Sequence, residues 1–239
     1  MKDITEKVFL ECEKKRTFWL MIMVAGWYGS YTFVERGGVF CNAQTANVVL
    51  FGMAIGQRDW PKALYLMVPI GAYFLGAMFS EVLGKSIKRL GILRWDTVLV
   101  GIEIVACILL GLLPAKAPDQ ICQVALNFLC SMQFNTFRQA EGTPAATTFV
   151  TNHIRQVGSN LVKLIRHHEN EAAKNRVILH GSLLLCFLAG AILCAFLCEY
   201  FGYYTIWGAG IILLIVFVRL AWVDTHTEKG MLDQVPRGH

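Results

Sequence analysis

Residues 37–56 read GGVFCNAQTANVVLFGMAIG, and residues 142–165 read GTPAATTFVTNHIRQVGSNLVKLI. The first is moderately apolar, and the second is too polar to cross comfortably in contact with lipid. The first, however, carries Asn42, Gln44, Thr45 and Asn47, and the second carries His153, Arg155 and Asn160. A single Arg at the centre of a lipid-exposed helix costs about 2.5–3.5 kcal/mol on insertion scales. These two stretches are therefore expected to be sheltered by other helices, or to dip into the membrane and return.

What surrounds them sets the class. Of 239 residues, 55% are hydrophobic and 16% charged, and the mean hydropathy is +0.49. A soluble domain carries about a quarter charged residues, so the chain reads as a polytopic membrane protein. Six segments match the roughly 20 apolar residues a crossing helix needs: 17–35, 62–83, 95–113, 119–138, 177–199 and 203–223. Residues 1–16 are polar, with Ile4, Val8 and Cys12 four apart, as in a short amphipathic helix on the cytoplasmic membrane surface. The tail, 224–239, is expected to be cytoplasmic, and its last residues resemble a protease-site remnant.

Charge decides between dipping and crossing. Lys7, Lys14, Lys15 and Arg16 place the N-terminus in the cytoplasm. If 37–57 crossed fully, Lys85, Lys88, Arg89 and Arg94 would lie outside; if it dips and returns, they lie inside, as does the later cluster Lys163, Arg166, Lys174 and Arg176. The expected fold is thus all-α: six transmembrane helices plus two re-entrant half-helices, 37–57 and 142–166, with both termini cytoplasmic.

The two polar stretches also match each other. Thr45 and Gly52 recur as Thr151 and Gly158, 106 residues on. Each pair follows one span and precedes two more, so the chain divides into repeats at 17–114 and 115–223. Three crossings per repeat make the second inverted relative to the first, a plan common among transporters. Half-helix starts near the midplane present partial positive charge, which suits an anion or a polar solute. The expected substrate-binding residues are Asn42, Thr45, Asn47, Thr148, Thr151 and Asn152, together with Asn127 from the stripe Gln123, Asn127, Ser131 and Asn135. Glu103, His153 and Arg138 are the proton or gating candidates, since ionisable groups within spans mark pathways.

Other patterns read as packing. Ala72, Gly76, Ser80 and Gly84 form a small-residue stripe suited to close helix approach. The eight Cys lie mostly in apolar runs without zinc-binding spacing. No metal, cofactor or catalytic set is expected, and the short basic clusters do not form a nucleic-acid surface. The expected partners are membrane lipid, a small-molecule or anion substrate and a second copy of the chain.

The order of these motifs resembles the YoaK family of small bacterial multi-span inner-membrane proteins, a domain of unknown function. Phe40, Asn42, Thr45, Asn47 and Gly52 match its first motif, with Ala46 where Gly is usual. Thr148 and Thr151 match its second, with Asn152 in place of Gly. The acidic residue common in the family's first helix falls at Gly29, so no proton role is carried over to it. The resemblance implies a multi-span protein of the inner membrane and supplies no substrate. The function expected is a small transporter or channel for a small anion, weak acid or polar metabolite. The alternative is a membrane scaffold whose polar hairpins only pack, and no enzyme is expected.

Overall fold

A computed structural model describes residues 9–86, 89–234 and 236, with the side chains of 84–86 and 89 outside that description. Ile4, Lys7, Val8, Lys88, the side chains of Lys85 and Arg89, and tail residues 235 and 237–239, read above from the sequence, therefore lie outside the described part of the chain. The described fold is α-helical, with α1 Lys15–Glu35, α2 Gln44–Gly56, α3 Trp60–Ser86, α4 Trp95–Gly111, α5 Asp119–Thr136, α6 Thr151–Arg166, α7 Glu171–Phe201 and α8 Ile206–Thr225. Each of the six long expected segments is helical. Two small antiparallel hairpins were not expected: β1 Arg89–Leu90 with β2 Leu93–Arg94, and β3 Gln139–Ala140 with β4 Thr143–Pro144.

The distribution of polarity is consistent with a helical membrane protein. Gln123, Asn127, Gln133, Asn47, Glu103, His153 and His180 are fully buried. Large apolar side chains, among them Phe74, Leu185, Ile211 and Val218, face outward. Two helical stretches, Trp60–Leu83 and Glu171–Thr225, are long and apolar enough to cross a membrane. The latter holds both α7 and α8.

The chain reverses sharply after α1 because Gly37 and Gly38 adopt φ of +76° and +71°. A Cβ on Gly37 would also lie 2.8 Å from the Tyr65 hydroxyl and 2.9 Å from Gln123 Nε2. Gln123 Nε2 donates to the Arg36 carbonyl (2.6 Å), closing the end of α1, and to Tyr65 Oη (2.7 Å). Pro69 inside α3 has no N–H to offer the carbonyl of Tyr65; Gln120 Nε2 supplies the missing donor at 3.1 Å.

These contacts put the end of α1, the start of α3 and the start of α5 at one end of the bundle. The Arg36 guanidinium stacks there on Tyr203, 4.1 Å from the ring centre. It follows that α2 enters and leaves by the same end. The second short helix behaves alike at the other end. Gln133, late in α5, donates to Met21 O (3.3 Å), while Ser182, early in α7, accepts from Trp19 Nε1 (2.8 Å). Neither α2 nor α6 traverses the bundle.

Helix pairing has a regular form. The main contacts are α1 with α7, α3 with α5, α4 with α8, α2 with α3 and α6 with α7. Exchanging α1–α4 for α5–α8 maps this set onto itself. Two close crossings are made by glycines 114 residues apart: a Cβ on Gly76 would meet Phe128 O at 2.4 Å, and one on Gly190 would meet Met23 O at 2.0 Å. Ala72 and Ser80 share the buried face with Gly76, and Ser80 Oγ donates to Met132 O at 3.4 Å.

At the end opposite Arg36, residues 9–14 tuck into the bundle. Leu10, Glu11, Cys12 and Glu13 are all buried, and Glu11–Glu13 form a 3-10 turn. Glu141 N–H donates to Glu13 O (2.8 Å), and Lys15 pairs with Glu141 at 3.0 Å.

Candidate functional site

The chain preceding α2 and the chain preceding α6 run non-helically into the bundle from opposite ends and stop at one cavity of about 350 Å³. Asn42, Ala43, Gln44 and Thr45 line one side, and Thr148, Phe149, Val150 and Thr151 line the other. Each residue of the first set has its counterpart 106 positions later in the second. Tyr73 on α3 and Phe187 on α7, 114 apart, complete the wall. No ionisable acid or base other than the Tyr73 phenol is among these residues.

Both helices start without side-chain caps. The N-cap residues are Ala43 and Val150, two of the poorest capping types. No Asn or Thr side chain caps either helix. Ala46 and Asn47 N–H return to Ala43 O at 3.0 and 3.2 Å, and Ile154 N–H to Val150 O at 3.0 Å. The N–H groups of Gln44, Thr45, Thr151, Asn152 and His153 find no acceptor among the described residues. Thr148 is fully buried beside Tyr73, yet its Oγ1 has no well-formed hydrogen bond. Orphan donors and a helix dipole from each side make the cavity a place for negative charge or a polar acceptor.

Of the seven residues expected to bind substrate, Asn42, Thr45, Thr148 and Thr151 line the cavity, and three do not. Asn47 is buried in α2 and reaches back to Phe40 O at 2.6 Å. Asn127 accepts from Gln44 Nε2 at 2.6 Å and donates to Gln123 O at 2.7 Å, so it braces the wall from behind. Asn152 faces outward and accepts from Arg155 at 2.8 Å. Asn42 itself is anchored, its Nδ2 donating to Ala25 O at 2.8 Å. Its amide fills the space that a side chain on Gly29 would need, 2.9 Å from the built Cβ.

The proton or gating candidates separate. Glu103 is buried between α4 and α1, with Tyr28 Oη donating to Oε2 at 3.5 Å and Oε1 unpartnered. It does not line the cavity and pairs with neither Arg138 nor Arg155. Arg138 is half-exposed at the end of α5, where it pairs with Glu81 at 3.2 Å. His153 lies two residues beyond Thr151, fully buried, with Nδ1 2.7 Å from His180 Nδ1 and Nε2 2.9 Å from Ala146 O.

Sequence reasoning missed Gln44, Tyr73, Phe187 and His180. His180 is a lone histidine in the apolar run ILHGSLLL, and that polarity was the available signal. Tyr73 and Phe187 share no residue type, and α6 is 16 residues long against 13 for α2, so a fixed offset of 106 could not align them.

An all-helical bundle with apolar side chains outward, polar groups buried in its core and a cavity between two uncapped helix starts is consistent with a helical membrane protein. The chain belongs to the DUF1275 family, described as protein of unknown function, whose profile matches residues 17–219. No curated protein and no solved structure matches it.

Proposed function

We propose that the chain is a small transporter or channel that binds a small anion or polar solute in this cavity. In this reading α1, α3, α4, α5, α7 and α8 cross the membrane. The short helices α2 and α6 are re-entrant from opposite faces, and α1–α4 and α5–α8 form an inverted repeat. The reading includes a bacterial inner membrane, as the YoaK resemblance implies, with both termini cytoplasmic. It includes no catalysis.

The observation that carries it is the cavity wall: residues 42–45 and 148–151, at a constant spacing, bring two sets of unsatisfied N–H groups to one neutral space. A dry packing device would satisfy those donors internally, as both ends of the Asn127 amide are satisfied. The scaffold alternative rests on that residue alone.

The test is flux into proteoliposomes of pyruvate, nitrate, propionate, urea and glycerol. At least one is expected to cross about tenfold faster than through protein-free vesicles. Thr148→Val, which keeps shape and removes a buried hydroxyl, is expected to slow that solute about tenfold, the worth of one hydrogen bond of about 1.4 kcal/mol. Background rates for all five would overturn the proposal.

A further inference from the structure

His153 and His180 form a buried pair whose protonation can be worked out from its contacts. A carbonyl only accepts, so His153 Nε2 must carry the hydrogen it shares with Ala146 O at 2.9 Å. In neutral His153 the other nitrogen, Nδ1, is then a bare acceptor. The 2.7 Å contact between the two Nδ1 atoms therefore requires the hydrogen on His180 Nδ1. That leaves His180 Nε2 bare, and it is buried with no hydrogen-bond partner.

The pair has room for one further proton, at His180 Nε2. With that proton on, His180 still donates to His153 and the contact is strengthened by charge. A second extra proton would place hydrogens on both facing Nδ1 atoms and break the contact. Two interacting imidazoles of this kind titrate as a unit.

The pair's surroundings couple it to the cavity. The charged groups that bear on it are Arg176 on α7 and Arg155 on α6, both exposed. From α1, the Trp19 indole N–H donates to Ser182, two residues beyond His180. A proton arriving alone meets two cations. The backbone N–H of His153 is itself one of the free donors at the α6 start, so an anion held there would offset those cations. Proton and anion then favour each other's binding, and the linkage is reciprocal.

We infer that the His153–His180 pair takes up one proton together with the anion bound at the start of α6. The solute class is thus a small monovalent anion, carried with one proton and no net charge. The proton enters and leaves at His180 Nε2; no bond other than N–H is made or broken. This inference rests on the cavity being a solute site.

Nitrogen-15 NMR of histidine-labelled full-length protein in detergent tests it, with signals assigned through His153→Gln and His180→Gln. At about pH 8, within the usual histidine switching range, His153 should carry hydrogen on Nε2 and His180 on Nδ1. Acidification should add one proton, at His180 Nε2. Pyruvate, nitrate or propionate should raise the midpoint by about half a unit, a threefold gain in proton affinity. Thermal melting of His180→Gln checks that the fold survives. Reversed tautomers, a pair that stays neutral to about pH 4, or a midpoint unmoved by all three anions would overturn the inference. An anion-dependent midpoint without vesicle flux would instead sink the transport reading and leave this site standing.

Discussion

Gly190→Ala is expected to cost about 3 kcal/mol or more and to lower the melting temperature in mild detergent by about 6–12 °C. The added Cβ would lie 2.0 Å from the Met23 carbonyl oxygen and 2.9 Å from its carbon. Those atoms are backbone, so no rotamer change can relieve the clash. Gly26 faces the same crossing from the α1 side, with a Cβ there 2.1 Å from Phe187 O. The α1–α7 contact is therefore locked by two reciprocal glycines, and α1 and α7 can accept a methyl group only by moving apart. Because Phe187 both belongs to this crossing and lines the cavity, the cavity should change with it. Gly52→Ala is the matched control. Nothing lies within 4 Å of a Cβ at Gly52, and alanine is favoured in a helix, so its melting temperature should hold or rise slightly. A Gly190→Ala protein that melts with the wild type would show that the helices are not this close.

Arg94→Met is expected to cost about 3–5 kcal/mol, the usual result of removing one partner from a buried charge cluster. The Arg94 side chain is almost wholly buried and lies 3.1 Å from Glu228 and 3.4 Å from Asp96. Its backbone N–H donates to Asp224 Oδ2 at 3.0 Å, and Thr97 Oγ1 donates to the same oxygen at 2.6 Å. Glu228 in turn accepts from Glu11 N–H at 2.8 Å. One cation thus joins the start of α4, the end of α8 and the segment before α1. Without it, Asp96, Asp224 and Glu228 would face one another uncompensated. A melting curve like that of the wild type would contradict this account.

The same cluster sets an acid limit. Burial would raise the Glu11 carboxyl, but hydrogen bonds from Arg16, Lys14 and Arg219 outweigh it and lower the group from 4.5 to about 2. A folded-state value below the unfolded one adds stability that is fully present above the unfolded value. It is lost as pH falls through 4.5 toward 2. Since those cations are half-exposed and screened, the contribution is about 1–2 kcal/mol. Burial raises Glu228 instead, a shift of the opposite sign.

The long helices were legible because about 20 apolar residues in a row admit few alternatives. Their ends were less so: α7 begins at Glu171, where Glu171, Lys174 and Arg176 conceal six further helical residues. The polar stretches were legible as breaks because Asn42, Thr45, Thr148 and Thr151 stand out in an apolar context. Distinguishing a lining residue from a bracing one required coordinates. Asn47 and Asn127 have the same chemistry as Asn42, and only their partners, Phe40 O and Gln44, show that they face away from the cavity. The helix starts were less legible, because their N-cap residues are Ala43 and Val150, which carry no capping signal. The cluster around Arg94 was not legible at all, since Arg94 is 130 residues from Asp224 and 134 from Glu228 in the chain.

Sidedness labelling of full-length protein in membranes, with a membrane-impermeant thiol reagent, tests the central claim that α2 and α6 reach one cavity from opposite faces. Seven of the eight native cysteines are buried, and Cys186 is the partly exposed one, so Cys186→Ala supplies the background. On it, Gln57→Cys, just past the end of α2, should react only from the outside, and His168→Cys, just past α6, only from the cytoplasm. Reaction of both from the same face would contradict the inverted arrangement and, with it, the site built on it.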